Sequence, residues 1–96
     1  VTVEVQLDQA YAVEAPYPNP ARGPVTLPVT VRETQRVQVM LYDMLGRRIV
    51  TAYDGEMRGQ EMKPVRLDTG RLASGTYFVR IRGEGFVTTQ RLTVVR

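Results

Sequence analysis

Apolar side chains return at every second position along most of this chain, the mark of strands buried on one face only. Val1, Val3, Val5 and Leu7 alternate with Thr2, Glu4 and Gln6. Val25, Leu27, Val29 and Val31 alternate with Thr26, Pro28, Thr30 and Arg32; Val37, Val39 and Leu41 alternate with Gln38, Met40 and Tyr42. Tyr77, Val79 and Ile81 alternate with Phe78, Arg80 and Arg82. The final run, Phe86 to Val95, reads as the longest strand, with Leu92 and Val94 on one face. No window of about eleven residues keeps a helical spacing.

The segments between these runs carry turn chemistry. Asp43-Met44-Leu45-Gly46 predicts a tight turn, with Gly46 free to take positive φ and Leu45 anchored in the core. A strand from Ile49 to Tyr53 is expected to end in a second turn at Asp54-Gly55. Met62 to Leu67 is a weaker strand broken by Pro64, and Pro28 argues for an edge position or a bulge. Asp68 to Gly75 reads as a loop with room for one helical turn around Leu72, and Gly83-Glu84-Gly85 closes a hairpin. About seven short strands with frequent turns predict an all-β, immunoglobulin-like antiparallel β-sandwich. Its shared core would take Val37, Val39, Leu41, Tyr77, Val79 and Ile81. Residues 8–24 break the alternation with Pro16, Pro18, Pro20 and Pro24, as a linker or an ordered arm would. Residues 1–16 are therefore read as a strand and linker toward a preceding domain, and 17–96 as the domain itself. The opening Val1, where a complete chain has Met, reads as the start of a piece cut from a longer protein. Its alternating residues do not resemble a signal peptide.

Chemistry is harder to find. There is no histidine and no cysteine, which removes the commonest general base, the thiolate nucleophile and the usual metal ligands. The one serine, Ser74, lies in a glycine-containing turn, and nothing in the spacing links it to the one lysine, Lys63. Asp43, Asp54, Glu56 and Asp68 sit at expected strand ends, without the clustered Asp-x-Asp spacing of a calcium loop. Neither catalysis nor a cofactor is expected. No run of about 18 apolar residues is present to span a membrane. The net charge of +3 is uneven, since residues 71–96 hold Arg71, Arg80, Arg82, Arg91 and Arg96 against Glu84. Such a basic end could meet an acidic partner, an anionic membrane surface or nucleic acid, although solvent-facing strand faces account for it more simply; nucleic-acid binding would want basic residues interleaved with aromatics. Here Tyr77 shares a face with the core, and an arginine stem over Phe78 accounts for that ring, so no nucleic-acid partner is expected.

Four stretches taken in order resemble one family. They are Tyr17-Pro18-Asn19-Pro20, Leu41-Tyr42-Asp43-Met44-Leu45-Gly46-Arg47, Leu72-Ala73-Ser74-Gly75-Thr76-Tyr77-Phe78-Val79-Arg80, and the terminal Thr89-Gln90-Arg91-Leu92-Thr93-Val94-Val95-Arg96. Together they are similar to the type A C-terminal sorting domain of the type IX (Por) secretion system, from about Ala12 to Arg96. The resemblance implies an immunoglobulin-like sandwich that is an address and not an enzyme, carried at the C-terminal end of a cargo domain in the same chain. It implies as partners a secretion translocon, an outer-membrane shuttle protein and a cysteine-peptidase-like sortase. The cargo would reach the cell surface or the medium through the Gram-negative outer membrane, with the sorting domain removed after export.

The motif residues have expected roles. Pro18 and Pro20 stiffen the entry and Asn19 pins its own turn. Asp43, Gly46 and Arg47 shape a tight turn, Gly75 supplies a turn or bulge before its strand, and Tyr77 is core. The terminal strand, Thr89, Gln90, Arg91, Leu92, Thr93, Val94, Val95 and Arg96, is the candidate recognition element. Its outward Thr89, Arg91, Thr93 and Val95 form a polar, basic stripe that packing does not require, and Arg96 is the further candidate contact. A competing reading is a carbohydrate-binding, adhesive or spacer sandwich beside a surface hydrolase. That reading would want a planar row of aromatics from among Tyr11, Tyr17, Tyr42, Tyr53 and Phe86.

Overall fold

The alternating runs become strands, and their apolar faces close on each other. The computed structural model describes residues 10–96, so the strand expected over residues 1–7 lies outside the described residues. Seven strands follow in order: β1 (Tyr11–Val13), β2 (Val25–Val31), β3 (Gln35–Tyr42), β4 (Arg48–Met57), β5 (Lys63–Leu67), β6 (Gly75–Arg82) and β7 (Val87–Val94). They form a three-stranded sheet, β1-β2-β5, and a four-stranded sheet, β4-β3-β6-β7, with every strand pair antiparallel. The result is an immunoglobulin-like sandwich, all-β among the described residues.

The core is the set of side chains at alternate positions. Leu27, Val29 and Val31 of β2 and Val65 and Leu67 of β5 face Val37, Val39 and Leu41 of β3, Tyr77, Val79 and Ile81 of β6, and Leu92 and Val94 of β7. Each buried Val, Leu or Ile contributes about 1.5–3 kcal/mol of transfer free energy. Tyr77 is buried because its hydroxyl has a partner, donating to the Ala73 carbonyl at 2.7 Å. At one end of the sandwich Phe86 stacks on Tyr11, with ring centroids 4.5 Å apart. Gly83 beside it must lack a side chain, since a Cβ there would lie 2.2 Å from the Phe86 ring.

Local signals were overridden in three places. Asp54-Gly55 is no turn: β4 runs through it as the longest strand, ten residues against eight in β7, with Asp54 opposite Gln38 and Gly55 opposite Val37. The strand continues because Asp54 bonds Arg36 and Gln38 across the ladder. Pro64 does not break β5. It faces Pro28 directly, and neither residue has an N–H to offer, so the pair suits a position without ladder bonds. The Pro28 carbonyl points the other way, accepting from the Glu14 N–H at 3.1 Å. Pro28 also lies where pairing slips by one residue, between Val13↔Val29 and Tyr17↔Thr26. Leu45, expected in the core, is 77% exposed, because its turn is fixed by the Asp43 carboxylate and the core side chains do not pack over it.

Within the stretch read as a linker or an ordered arm, the described residues 10–24 join the sandwich. Ala10, Tyr11 and Val13 pack against the core, Pro16 is buried, and Ala21 has no exposed surface.

Candidate functional site

The register brings all four motifs to one end of the four-stranded sheet. Tyr42 lies opposite Phe78, Phe78 opposite Arg91, and Gly75 opposite Val94, so the β3–β4 turn, the start of β6 and the end of β7 are neighbours. The Pro-Asn-Pro arm completes the group by lying along the outer edge of β7. Asn19 accepts from the Thr93 N–H through Oδ1 at 3.0 Å and donates from Nδ2 to the Arg91 carbonyl at 3.3 Å. Ala21 continues the contact as a parallel bridge, donating to the Thr93 carbonyl at 2.7 Å and accepting from Val95 at 2.8 Å. Asn19 therefore pins the terminal strand and not its own turn. An amide side chain can do this because it presents one donor and one acceptor, as a peptide group does.

The terminal strand divides by parity. Thr89, Arg91 and Thr93 face outward, as expected, whereas Leu92 and Val94 are core. Gln90 faces inward and donates to the Val13 carbonyl at 3.3 Å, tying β7 to the opposite sheet. Val95 lies beyond the strand, its N–H held by Ala21. Arg96 latches the loop before β6. Its N–H donates to Ser74 Oγ at 2.9 Å, its Nε to the Leu72 carbonyl at 2.8 Å, and its guanidinium also donates to the Thr69 carbonyl. That loop holds one turn, closed by the Leu72 N–H on the Thr69 carbonyl at 3.0 Å.

The β3–β4 turn is built around one carboxylate. Asp43 Oδ1 accepts from the N–H groups of Leu45 and Arg47 at 2.9 and 3.0 Å, and Oδ2 takes the Arg47 guanidinium at 2.8 Å. The Arg47 N–H and the other bonds to the charged form hold Asp43 below its usual pKa of 3.8. Gly46 sits at φ +79°, a conformation in which a side chain is strained. Gly75 opens β6 opposite Val94.

Several contributors had no periodic signal to reveal them. Ala21 follows three turn residues in an irregular stretch. Thr69 is fully buried and donates to the Gly23 carbonyl at 2.6 Å, joining the loop to the arm. The aromatic candidates for a binding platform are dispersed: Tyr11 stacks on Phe86, Tyr53 lies beneath Lys63, Tyr17 is on the arm and Tyr42 on the outer sheet face. Among the described residues no group of three or more His, Cys, Asp or Glu could hold a metal, and no helix is long and apolar enough to cross a membrane.

No curated protein matches the chain. A solved structure, the crystal structure of dimeric latent PorU from Porphyromonas gingivalis, superposes with a TM-score of 0.71 at 21% identity. The match covers 88% of this chain and 9% of that one, so the likeness is one of fold over a small part of PorU. A family model, the secretion system C-terminal sorting domain, matches residues 15–95, from the arm to the last core-lined strand. With the four motifs gathered at one end of the sandwich and that model spanning nearly all of it, the chain belongs to the family of C-terminal sorting domains of type IX secretion.

Proposed function

We propose that the secretion machinery reads this domain through the outward stripe of β7, and that the domain performs no catalysis itself. The observation that carries this reading is Arg91. Its carbonyl is held by Asn19, yet its side chain is exposed and meets no acid among the described residues. Thr89 and Thr93 flank it on the same face. Recognition by strand addition is hindered from Arg91 to Val95, where the arm already takes the edge, so side-chain contact is the favoured route. The readers are a translocon and an outer-membrane shuttle protein, with a sortase removing the domain from its cargo by a cut N-terminal to Tyr11. Export of the cargo to the surface or the medium follows from the family.

The test is export of a periplasmic reporter fused to residues 8–96 in a host with the machinery. Arg91→Glu reverses charge on the stripe without touching the core, and is expected to hold the reporter in the periplasm with the melting temperature preserved. Normal export of the folded Arg91→Glu fusion overturns the assignment.

A further inference from the structure

The Asp43 cage and Gly46 fix the β3–β4 turn so that its central side chains project outward. Met44 is 68% and Leu45 77% exposed, and Ile49 and Val50 follow on the return strand at 41% and 45%. Directly behind the turn, the register aligns Arg48, Tyr42, Phe78 and Arg91 as one row across the outer face, one residue from each of four strands. Arg80 lies in the next row, beside Met40 and Thr89. A groove of about 330 Å³ runs between turn and row, lined by Tyr42, Met44, Phe78 and Arg80 among others. The uncompensated charge here is positive. Asp43 is paired with Arg47, while Asp54 and Glu56 sit at the far end of this face, opposite Gln38 and Arg36. Arg48, Arg80 and Arg91 have no acid partner among the described residues.

We infer that this end of the domain docks on an anionic lipid surface. Met44 and Leu45 enter the boundary between headgroups and acyl chains, and the arginines behind them meet lipid phosphates. An exposed apolar turn tip, backed by cations with long apolar stems, matches what an interfacial anchor requires. The charge complementarity is with an acidic leaflet. The turn is already ordered by Asp43, so little conformational freedom is lost on docking. This site is separate from recognition by the machinery, although Arg91 belongs to both; the test therefore uses the turn and Arg48.

The chain has no tryptophan, so Leu45→Trp supplies a single fluorescent reporter. With vesicles of phosphatidylcholine and phosphatidylglycerol, its emission is expected to shift to the blue and the protein to sediment with the lipid. Pure phosphatidylcholine is expected to bind far less, and added salt to weaken the anionic binding. Met44→Ser with Leu45→Ser should lower binding about tenfold or more, and Arg48→Gln about fivefold. Melting temperatures should stay unchanged, because these side chains are exposed. Absence of sedimentation with the anionic vesicles overturns the inference. So does binding that the double serine variant retains in full, or a Trp reporter that shifts only when a protein partner is added.

Discussion

Asp43 accepts two backbone N–H bonds and one guanidinium bond, which makes the β3–β4 turn sensitive to a single proton. All these contacts favour the carboxylate, so its folded pKa is depressed. A depressed pKa contributes stability that is complete above the unfolded value and lost as pH falls through the folded one. Asp43→Asn should therefore melt below the parent at neutral pH, and the gap should close as pH is lowered from about 4. A gap that persists unchanged at the acid end would show that the carboxylate charge is not what the turn uses. Gly46→Ala should destabilise by about 1–2 kcal/mol at any pH, the cost of a side chain at positive φ, read by denaturant titration. The Asp43 and Gly46 turn was legible because Asp and Gly carry their turn geometry locally. The exposure of Leu45 was not, because an apolar residue in a turn is buried only if something covers it. Whether another element reaches over Leu45 is not a local property of the turn.

Between elements, the main finding is that the arm and the last strand hold each other. The arm was legible only as an interruption, since prolines announce where a ladder stops and not what the freed chain lies against. Asn19→Ala removes one donor and one acceptor from the β7 edge and should cost about 1–2 kcal/mol. Amide hydrogen exchange should then accelerate at Thr93, whose N–H bonds to Asn19, and less at Val95, whose N–H bonds to Ala21. Unchanged exchange at Thr93 would mean that the edge is protected by something other than the arm. Arg96 needs the same care. Replacing it breaks three contacts to the loop from Thr69 to Ser74, so an export defect in an Arg96 variant cannot be assigned to recognition unless that loop is shown to be intact. Arg91 is the cleaner probe, because its side chain has no role of this kind. β4 shows how local turn propensity fails: Asp-Gly favours a hairpin, but the Arg36 and Gln38 side chains opposite give Asp54 better partners within the strand.

At the scale of the molecule, the period of two fixed which side chains meet in the core, and those six expected positions are all buried. Periodicity could not show where the folding unit starts, because β1 is three residues long and the arm has no repeat. From Tyr11 on the chain is joined to the sandwich: β1 pairs with β2, Tyr11 stacks on Phe86, and fully buried Ala21 bridges β7. A chain cut to begin at Pro24 loses all three, along with the Asn19 bonds and the Gly23 acceptor for buried Thr69. The loss of partly buried apolar surface and of a buried hydroxyl's partner comes to about 3 kcal/mol or more. For a domain of this size that lowers the melting temperature by about 12 °C or more. A chain beginning at Ala10 keeps every one of these contacts and should melt close to the parent. If the chain from Pro24 melted as high as the chain from Ala10, the arm would be an ornament on a sandwich complete without it.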